Sequence, residues 1–392
     1  MNYSHLTDKQ KKAILALDTP FFLFDLRIVE QKYALVCSLL KPDKVYYAVK
    51  SNSLPEILTT LARKGCGFEV NNLAELDKVT RLGVPAEEVI NSSPITPAGD
   101  IKGMHSQGVR CFAFDSKDQI DNLACNAPGA KVYLRLFTTN KGSKLDLSKR
   151  LGVHPADAPE MLKYAETQGL EPYGLTFHVG SQSSQLDNWK IGLQEAARLG
   201  DAFPRLEMIN VGGGFPVRYN EAVAPLEEIA KVIACALRES FKKKPLFYTE
   251  PGRFLTGDSG MIVSSVLQVE DRKPVSRAVI DMSLFMGLIE KLEFKDGFEY
   301  PLETNSKGRR TLYTILGPTC DGEDVIAEEI PLPALEANHR HPPDSSRVFI
   351  GNTGAYTLDY SPFDRPFGFN GARTPGIYFL TGDETIAADG PD

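Results

Sequence analysis

Short runs rich in β-branched and aromatic residues recur along the first two thirds of the chain. Longer stretches with apolar residues at helical spacing separate them. The β-like runs fall at residues 45–49, 67–70, 89–92, 111–114, 132–136, 174–179, 208–211 and 246–249, with helical patterns at 55–64, 73–82, 119–125, 159–167, 188–199 and 226–240. Strands alternating with helices predict βα units and a parallel sheet. Eight such strands fit an α/β fold of the (β/α)8 TIM-barrel type, of roughly the usual ~250 residues. A doubly wound open sheet would alternate in the same way, so the barrel rests on the strand count.

After Arg253 the alternation stops. Runs at 261–269, 278–281, 310–316, 324–330, 347–350 and 376–380 read as strands without crossover helices, which predicts a separate, mainly antiparallel β domain. The expected division is a barrel over residues 25–260, with residues 1–24 and 261–392 forming the β domain. The segment 334–346, with two prolines, His339 and His341, reads as a solvated loop rather than a metal site.

Composition narrows the class. The 392 residues are 42% hydrophobic and 24% charged, ordinary for a soluble globular chain with a sizeable core. A net charge of -7 argues against a nucleic-acid partner, and no apolar run is long enough to span a bilayer. The start, Met1-Asn2-Tyr3-Ser4-His5, lacks the basic and apolar regions of a secretory signal, so a cytoplasmic address is expected. Cys37, Cys66, Cys111, Cys125, Cys235 and Cys320 show no Cys-x-x-Cys spacing, and most lie in or beside apolar runs. They read as reduced, buried cysteines, with neither a disulfide framework nor a zinc site. Cys320 differs, because it lies in a polar, glycine-flanked loop.

The polar signals gather just after the predicted strands, at the end of a barrel where active sites are built. Lys50 follows the first strand, and alone would be a solvated terminus. His178 ends the sixth, and alone would be a satisfied core histidine. Gly212-Gly213-Gly214-Phe215-Pro216 ends the seventh, where three glycines make either a tight turn or a nest of N–H groups for an anion. Glu250-Pro251-Gly252-Arg253 ends the eighth with a carboxylate and a guanidinium. Together they offer one rim a lysine, a flat histidine, a phosphate-sized nest, an arginine and an acid. A phosphorylated cofactor held through a lysine uses all of these.

The order of motifs resembles the fold-type III pyridoxal phosphate (PLP) decarboxylases, the group that includes ornithine and diaminopimelate decarboxylases. Tyr47-Ala48-Val49-Lys50, His178-Val179-Gly180-Ser181, the glycine run and Glu250-Pro251-Gly252-Arg253 carry the likeness in the barrel. Gly317-Pro318-Thr319-Cys320-Asp321-Gly322 and Gly354-Ala355-Tyr356-Thr357 carry it in the β domain. The resemblance runs from Phe21 to Leu380 and implies the alanine racemase-like pairing of barrel and β domain. It implies that Lys50 forms the Schiff base with PLP, that His178 stacks on its ring, and that Glu250 pairs with the ring nitrogen. Ser181, Gly213 and Gly214 within residues 212–214, Gly252, Arg253 and Tyr356 would hold the phosphate, with Glu69, Glu75 and Arg135 nearby. Glu69 stands where ornithine decarboxylases carry aspartate. Cys320 would help reprotonate the α-carbon from a partner subunit, which implies a homodimer with shared sites.

Asp321 and Asp281 occupy the places of the acids that face the distal ammonium in ornithine decarboxylases, and two carboxylates favour a cation there. The stretch 281–290 followed by Tyr300-Pro301 also resembles the bacterial ornithine enzymes. The expected reaction is therefore decarboxylation of ornithine or lysine to a diamine and CO2. Segment 358–368, with Tyr360, Phe363, Asp364, Arg365 and Phe367, is longer than in ornithine decarboxylases. It is either a surface elaboration or room for a larger amine-bearing intermediate of siderophore or antibiotic synthesis. Alanine racemase would place arginine at the ring nitrogen, and PLP homeostasis proteins lack a second domain. A catalytically inactive homologue that binds regulatory proteins would be expected to lose the cofactor residues kept here.

Overall fold

The computed structural model describes every residue except 295–296, 338–345, 361–365, 382–384 and 389–392, so His339 and His341 lie outside the described residues. Eight strands, Lys44–Ala48, Gly67–Glu69, Val89–Asn91, Cys111–Phe114, Lys131–Leu136, Glu171–Phe177, Met208–Asn210 and Leu246–Thr249, close into a barrel. Each is parallel to its neighbours, and Lys44 and Val45 of the first strand pair with Tyr248 and Thr249 of the last. Closure removes both edges, which answers the choice between barrel and open sheet.

The local sequence explains these elements. Pro55–Arg63 starts with proline where a helix has no use for an N–H, and it buries Ile57, Leu58 and Leu61. Asn72 and Ser116 cap the helices Leu73–Thr80 and Lys117–Asn126 by accepting from Glu75 N and Gln119 N. Several helices escaped the periodicity reading, among them Asp8–Leu15 and two longer ones. Ala98–Gln107 contains two glycines and buries only Ile101 and Met104, and Leu26–Leu40 precedes the alternating region. Within the barrel, Tyr46, Ile90, Ala113, Tyr133, Tyr173 and Met208 form one cluster contributed by six strands. The interior is therefore a packed core rather than a pore. Tyr173 and Tyr248 share a hydrogen bond at 3.2 Å, which gives their inward hydroxyls partners.

The chain divides into two compact units. One comprises Glu30–Val217 and Val223–Phe254 and contains the barrel; the other comprises Met1–Val29, Arg218–Ala222 and Leu255–Asp392. In the second, Gly260–Glu270 organises a nine-stranded sheet. Its first half lies between Phe21–Asp25 and Arg347–Gly351, and its second half pairs with Ser276–Ile280 across a register shift between Val266 and Gln268. Most pairings are antiparallel, as expected. Phe21–Asp25 with Gly376–Thr381, and Ser276–Ile280 with Arg310–Leu316, are parallel. Phe21, Leu23, Met261, Val263, Phe349 and Leu380 alternate onto one face and pack with Met1, Leu6 and Ile14.

All six cysteines are free, but only Cys66 is buried, so the expectation of mostly buried thiols holds for that residue alone. No helix among the described residues is long and apolar enough to cross a membrane.

Candidate active site

Lys50 sits in a single 3-10 turn, Val49–Ser51, directly after the first barrel strand. Ser51 Oγ donates to the Tyr47 hydroxyl at 2.9 Å, and Tyr47 donates to Asn52 O at 2.8 Å. Fully buried Tyr47 thus fixes the turn from below. Lys50 Nζ lies 3.0 Å from Glu69 Oε2 at the end of the second strand. Glu69 is completely buried, and its Oε1 accepts no hydrogen bond. A buried acceptor without a donor is costly, so the site has capacity for one more donor group.

Glu250 follows the eighth strand. Its Oε1 accepts from Ser92 Oγ and Asn210 Nδ2, and no described donor reaches Oε2. Burial raises the Glu250 carboxyl above its ordinary value, and the charge of Glu69 raises it further; Ser92, Lys50 and Asn210 pull it back. Ser92 Oγ also lies 2.6 Å from the Tyr133 hydroxyl, which donates to Asn91 O at 3.0 Å.

His178 is the first residue beyond the sixth strand. Its Nδ1 accepts from Gly180 N at 3.0 Å, which leaves the neutral ring's proton on Nε2. Burial pushes its pKa down to about 3, helped by the neighbouring cations Arg135 and Lys50. Burial lowers the pKa of Arg135, on the fifth strand, and the charges of Glu250, Asp115 and Glu69 offset part of that.

The glycine strip runs beside this ring. A Cβ at Gly212 would stand 2.5 Å from Phe177 O, one at Gly213 2.6 Å from Glu250 O, and one at Gly214 2.4 Å from Gly180 O. Gly212 and Gly214 also hold φ of +65° and +89°. Only glycine fits this approach. The Gly213 and Gly214 N–H groups meet no acceptor among the described residues. Arg253, 5% exposed, places Nη2 3.3 Å from Ser181 Oγ, and Gly252 packs against Ser51. Glu75 accepts from Asn71 N at 2.7 Å and closes the turn before its helix.

The β unit holds the remaining candidates. Asp281 stands one residue beyond the strand Ser276–Ile280. It accepts from Ser264 Oγ at 2.6 Å, Ser265 N at 2.9 Å and Thr19 Oγ1, so both oxygens are engaged within its own unit. Cys320 and Asp321 are exposed on the loop after Arg310–Leu316. That loop is organised by Asp324, which is 2% exposed. Its carboxylate accepts from Thr319 N and Oγ1 at 3.1 and 2.6 Å, from Ser283 Oγ at 3.1 Å and from Leu284 N at 2.7 Å. The loop bearing Cys320 and Asp321 is thereby tied to the segment just after Asp281. Tyr356 adopts a left-handed φ of +54°, uncommon for a bulky residue. Among the described residues, no group of three or more His, Cys, Asp or Glu is arranged to hold a metal ion.

The family model described as "Pyridoxal-dependent decarboxylase, pyridoxal binding domain" matches residues 26–257. The chain belongs to the pyridoxal-dependent decarboxylases. It is 31% identical to the lysine/ornithine decarboxylase of Selenomonas ruminantium, over 91% of this chain and 90% of that one. It is 28% identical to antizyme inhibitor 2 of Xenopus laevis, over 92% of this chain and 80% of the relative. A crystal structure of a mutant SrLDC in complex with PLP covers 97% of both chains at 30% identity, with a TM-score of 0.88. The fold-type III architecture, the decarboxylase class and the PLP cofactor expected from the motifs are borne out. The rim fits that cofactor: a neutral flat ring, glycine amides open to an anion, an arginine, and buried carboxylate oxygens awaiting donors.

Ser92, Asn210 and Asp324 were absent from the sequence reading. For the first two, a polar residue ending a barrel strand was the available signal.

Replacing Asp324 by alanine leaves several buried donors without an acceptor. It should cost about 3 kcal/mol, read as a lower urea midpoint of the protein. His178 supplies a pH test. Protonation favours the unfolded chain, so stability present above about 6.5 is lost as pH falls toward 3. Between pH 7 and pH 5 the His178→Gln variant should therefore lose less stability than its parent in urea titrations.

Proposed function

We propose that this decarboxylase acts on a basic amino acid, ornithine or lysine, releasing a diamine and CO2. The observation that carries the chemistry is the Glu250 carboxylate, held on one oxygen by Ser92 and Asn210 with the other open. Bound PLP supplies the sink for the electron pair released as the carboxylate leaves. Glu250 would pair with a protonated ring nitrogen, which would favour its charged form. His178 would offer its neutral ring to the cofactor without adding a competing positive charge. The amides of Gly213 and Gly214, with Ser181, Gly252, Arg253 and Tyr356, would hold the phosphate.

Lys50 is the amine that would meet the cofactor's carbonyl group, and Glu69, 3.0 Å from that amine, would keep it in place. Arg135 balances the two carboxylates. Cys320 returns a proton to the α-carbon from a partner subunit, which makes a homodimer the working unit, and Asp321 reads the distal ammonium together with Asp281. The name of the Selenomonas relative supports the substrate class. The expected cytoplasmic setting is compatible with six free cysteines, two of them exposed.

A larger substrate has one observation in its favour. Tyr360, Phe367 and Phe369 are 47%, 57% and 53% exposed, and Phe369 meets Phe285 edge-on at 4.8 Å. Residues 361–365 of that segment lie outside the described residues. The antizyme-inhibitor relative brings a regulatory alternative. Against it stand the Lys50–Glu69 pair, the glycine strip and the half-open Glu250 carboxylate.

Substrate choice is tested by CO2 release from L-ornithine, L-lysine, their D-isomers, diaminopimelate and carboxylated polyamines. L-ornithine or L-lysine should react fastest; release from a bulky conjugate alone would defeat the proposal. The Asp321→Ala variant should raise KM for the preferred diamino acid about tenfold, the equivalent of one lost charge contact.

A further inference from the structure

Asn140, 4% exposed, lies in the connection between the fifth and sixth barrel strands and has no part in the roles above. Its Nδ2 donates to His178 O at 2.8 Å and to Thr138 O at 3.2 Å, while its Oδ1 accepts from Leu147 N at 2.9 Å. Its own carbonyl accepts from Ser143 N and Oγ at 3.1 and 2.7 Å. One buried amide therefore bonds both the segment bearing His178 and the loop bearing Leu147.

The loop then crosses Ser181. Lys144 N donates to Ser181 O at 3.0 Å, Ser181 N donates to Leu145 O at 3.1 Å, and Asn188 Nδ2 reaches Lys141 O at 3.0 Å. The approach leaves no room for a side chain. Gly180 has φ of +86°, and a Cβ there would stand 2.3 Å from Ser143 Oγ. Held in this way, residues 141–150 carry Lys141, Lys144, Lys149 and Arg150 against one acid, Asp146. A basic loop thus lies against Ser181, one of the residues proposed above to hold the phosphate.

We propose that Asn140 is a positioning residue that latches this loop onto His178 and Ser181, so that loop order and cofactor retention form one equilibrium. The inference rests on PLP lying against His178 and Ser181. A buried amide is satisfied only while the loop is in place, so opening the loop leaves Nδ2 and His178 O without each other. Linkage makes the coupling reciprocal: a cofactor that orders His178 and Ser181 also closes the loop, and a loosened loop weakens the cofactor.

The test uses the full chain with PLP, the parent and two variants, Asn140→Asp and Asn140→Ala. Asn140→Asp keeps the shape but turns an acceptor toward the His178 carbonyl. Two quantities are measured: the PLP dissociation constant, and mass-resolved trypsin cleavage after Lys141, Lys144, Lys149 and Arg150 with and without PLP. In the parent, PLP should slow cleavage at these sites. Both variants should bind PLP about tenfold more weakly and be cut there several-fold faster, with the rest of the tryptic map unchanged. Asn140→Asp behaving like the parent would make Asn140 a packing residue and overturn the latch. So would a parent loop that PLP fails to protect, a result that needs no variant to fold. A parent that binds no PLP would instead overturn the site reading beneath it.

Discussion

Two carboxylates and two cations share the mouth of one barrel, and the pairing of those charges constrains everything around them. Glu69 is wholly buried at a strand end, a position tolerable for a carboxylate only with a cation beside it. The register supplies one: Ala48 pairs with Glu69 across the first two strands, and Lys50, two residues on, reaches back to it at 3.0 Å. Arg135 adds a second positive charge from the fifth strand. Burial, helped by these two cations, keeps the His178 ring neutral. Glu250 feels the opposite pressure, since Glu69 and burial both push it toward protonation. A cationic ring nitrogen would relieve that pressure.

Much of this was legible in the chain because barrel strands buried on both faces read as continuous apolar runs. Cys111–Phe114 and Leu246–Thr249 have the boundaries that the pattern predicts. The glycine strip was legible too, since three consecutive glycines rarely lack a steric reason. What escaped was the support. Ser92 and Glu250 are 158 residues apart and meet only once the barrel closes. Asn140 is one polar residue in a polar loop, and nothing in its local sequence marks its amide as the partner of the His178 carbonyl. Asp281 ends the apolar run 278–281 in the sequence but stands just past the strand, where Thr19, Ser264 and Ser265 fix its orientation.

The β unit repeats the lesson of support at a distance. Cys320 and Asp321 stand out in the sequence because they interrupt a glycine-flanked loop, yet the loop takes its shape from Asp324, four residues after the cysteine. That carboxylate is saturated by donors from Ser283, Leu284 and Thr319 rather than by a cation. It works as a fixed bracket that sets the geometry of the loop.

The most direct measurement follows from Lys50 as the covalent anchor. Protein reconstituted with PLP is reduced with borohydride, digested, and the added mass is located by fragmentation. The account predicts the reduced pyridoxyl group on the peptide containing Lys50 and on no other. Label on a different lysine, or none on Lys50, would contradict it.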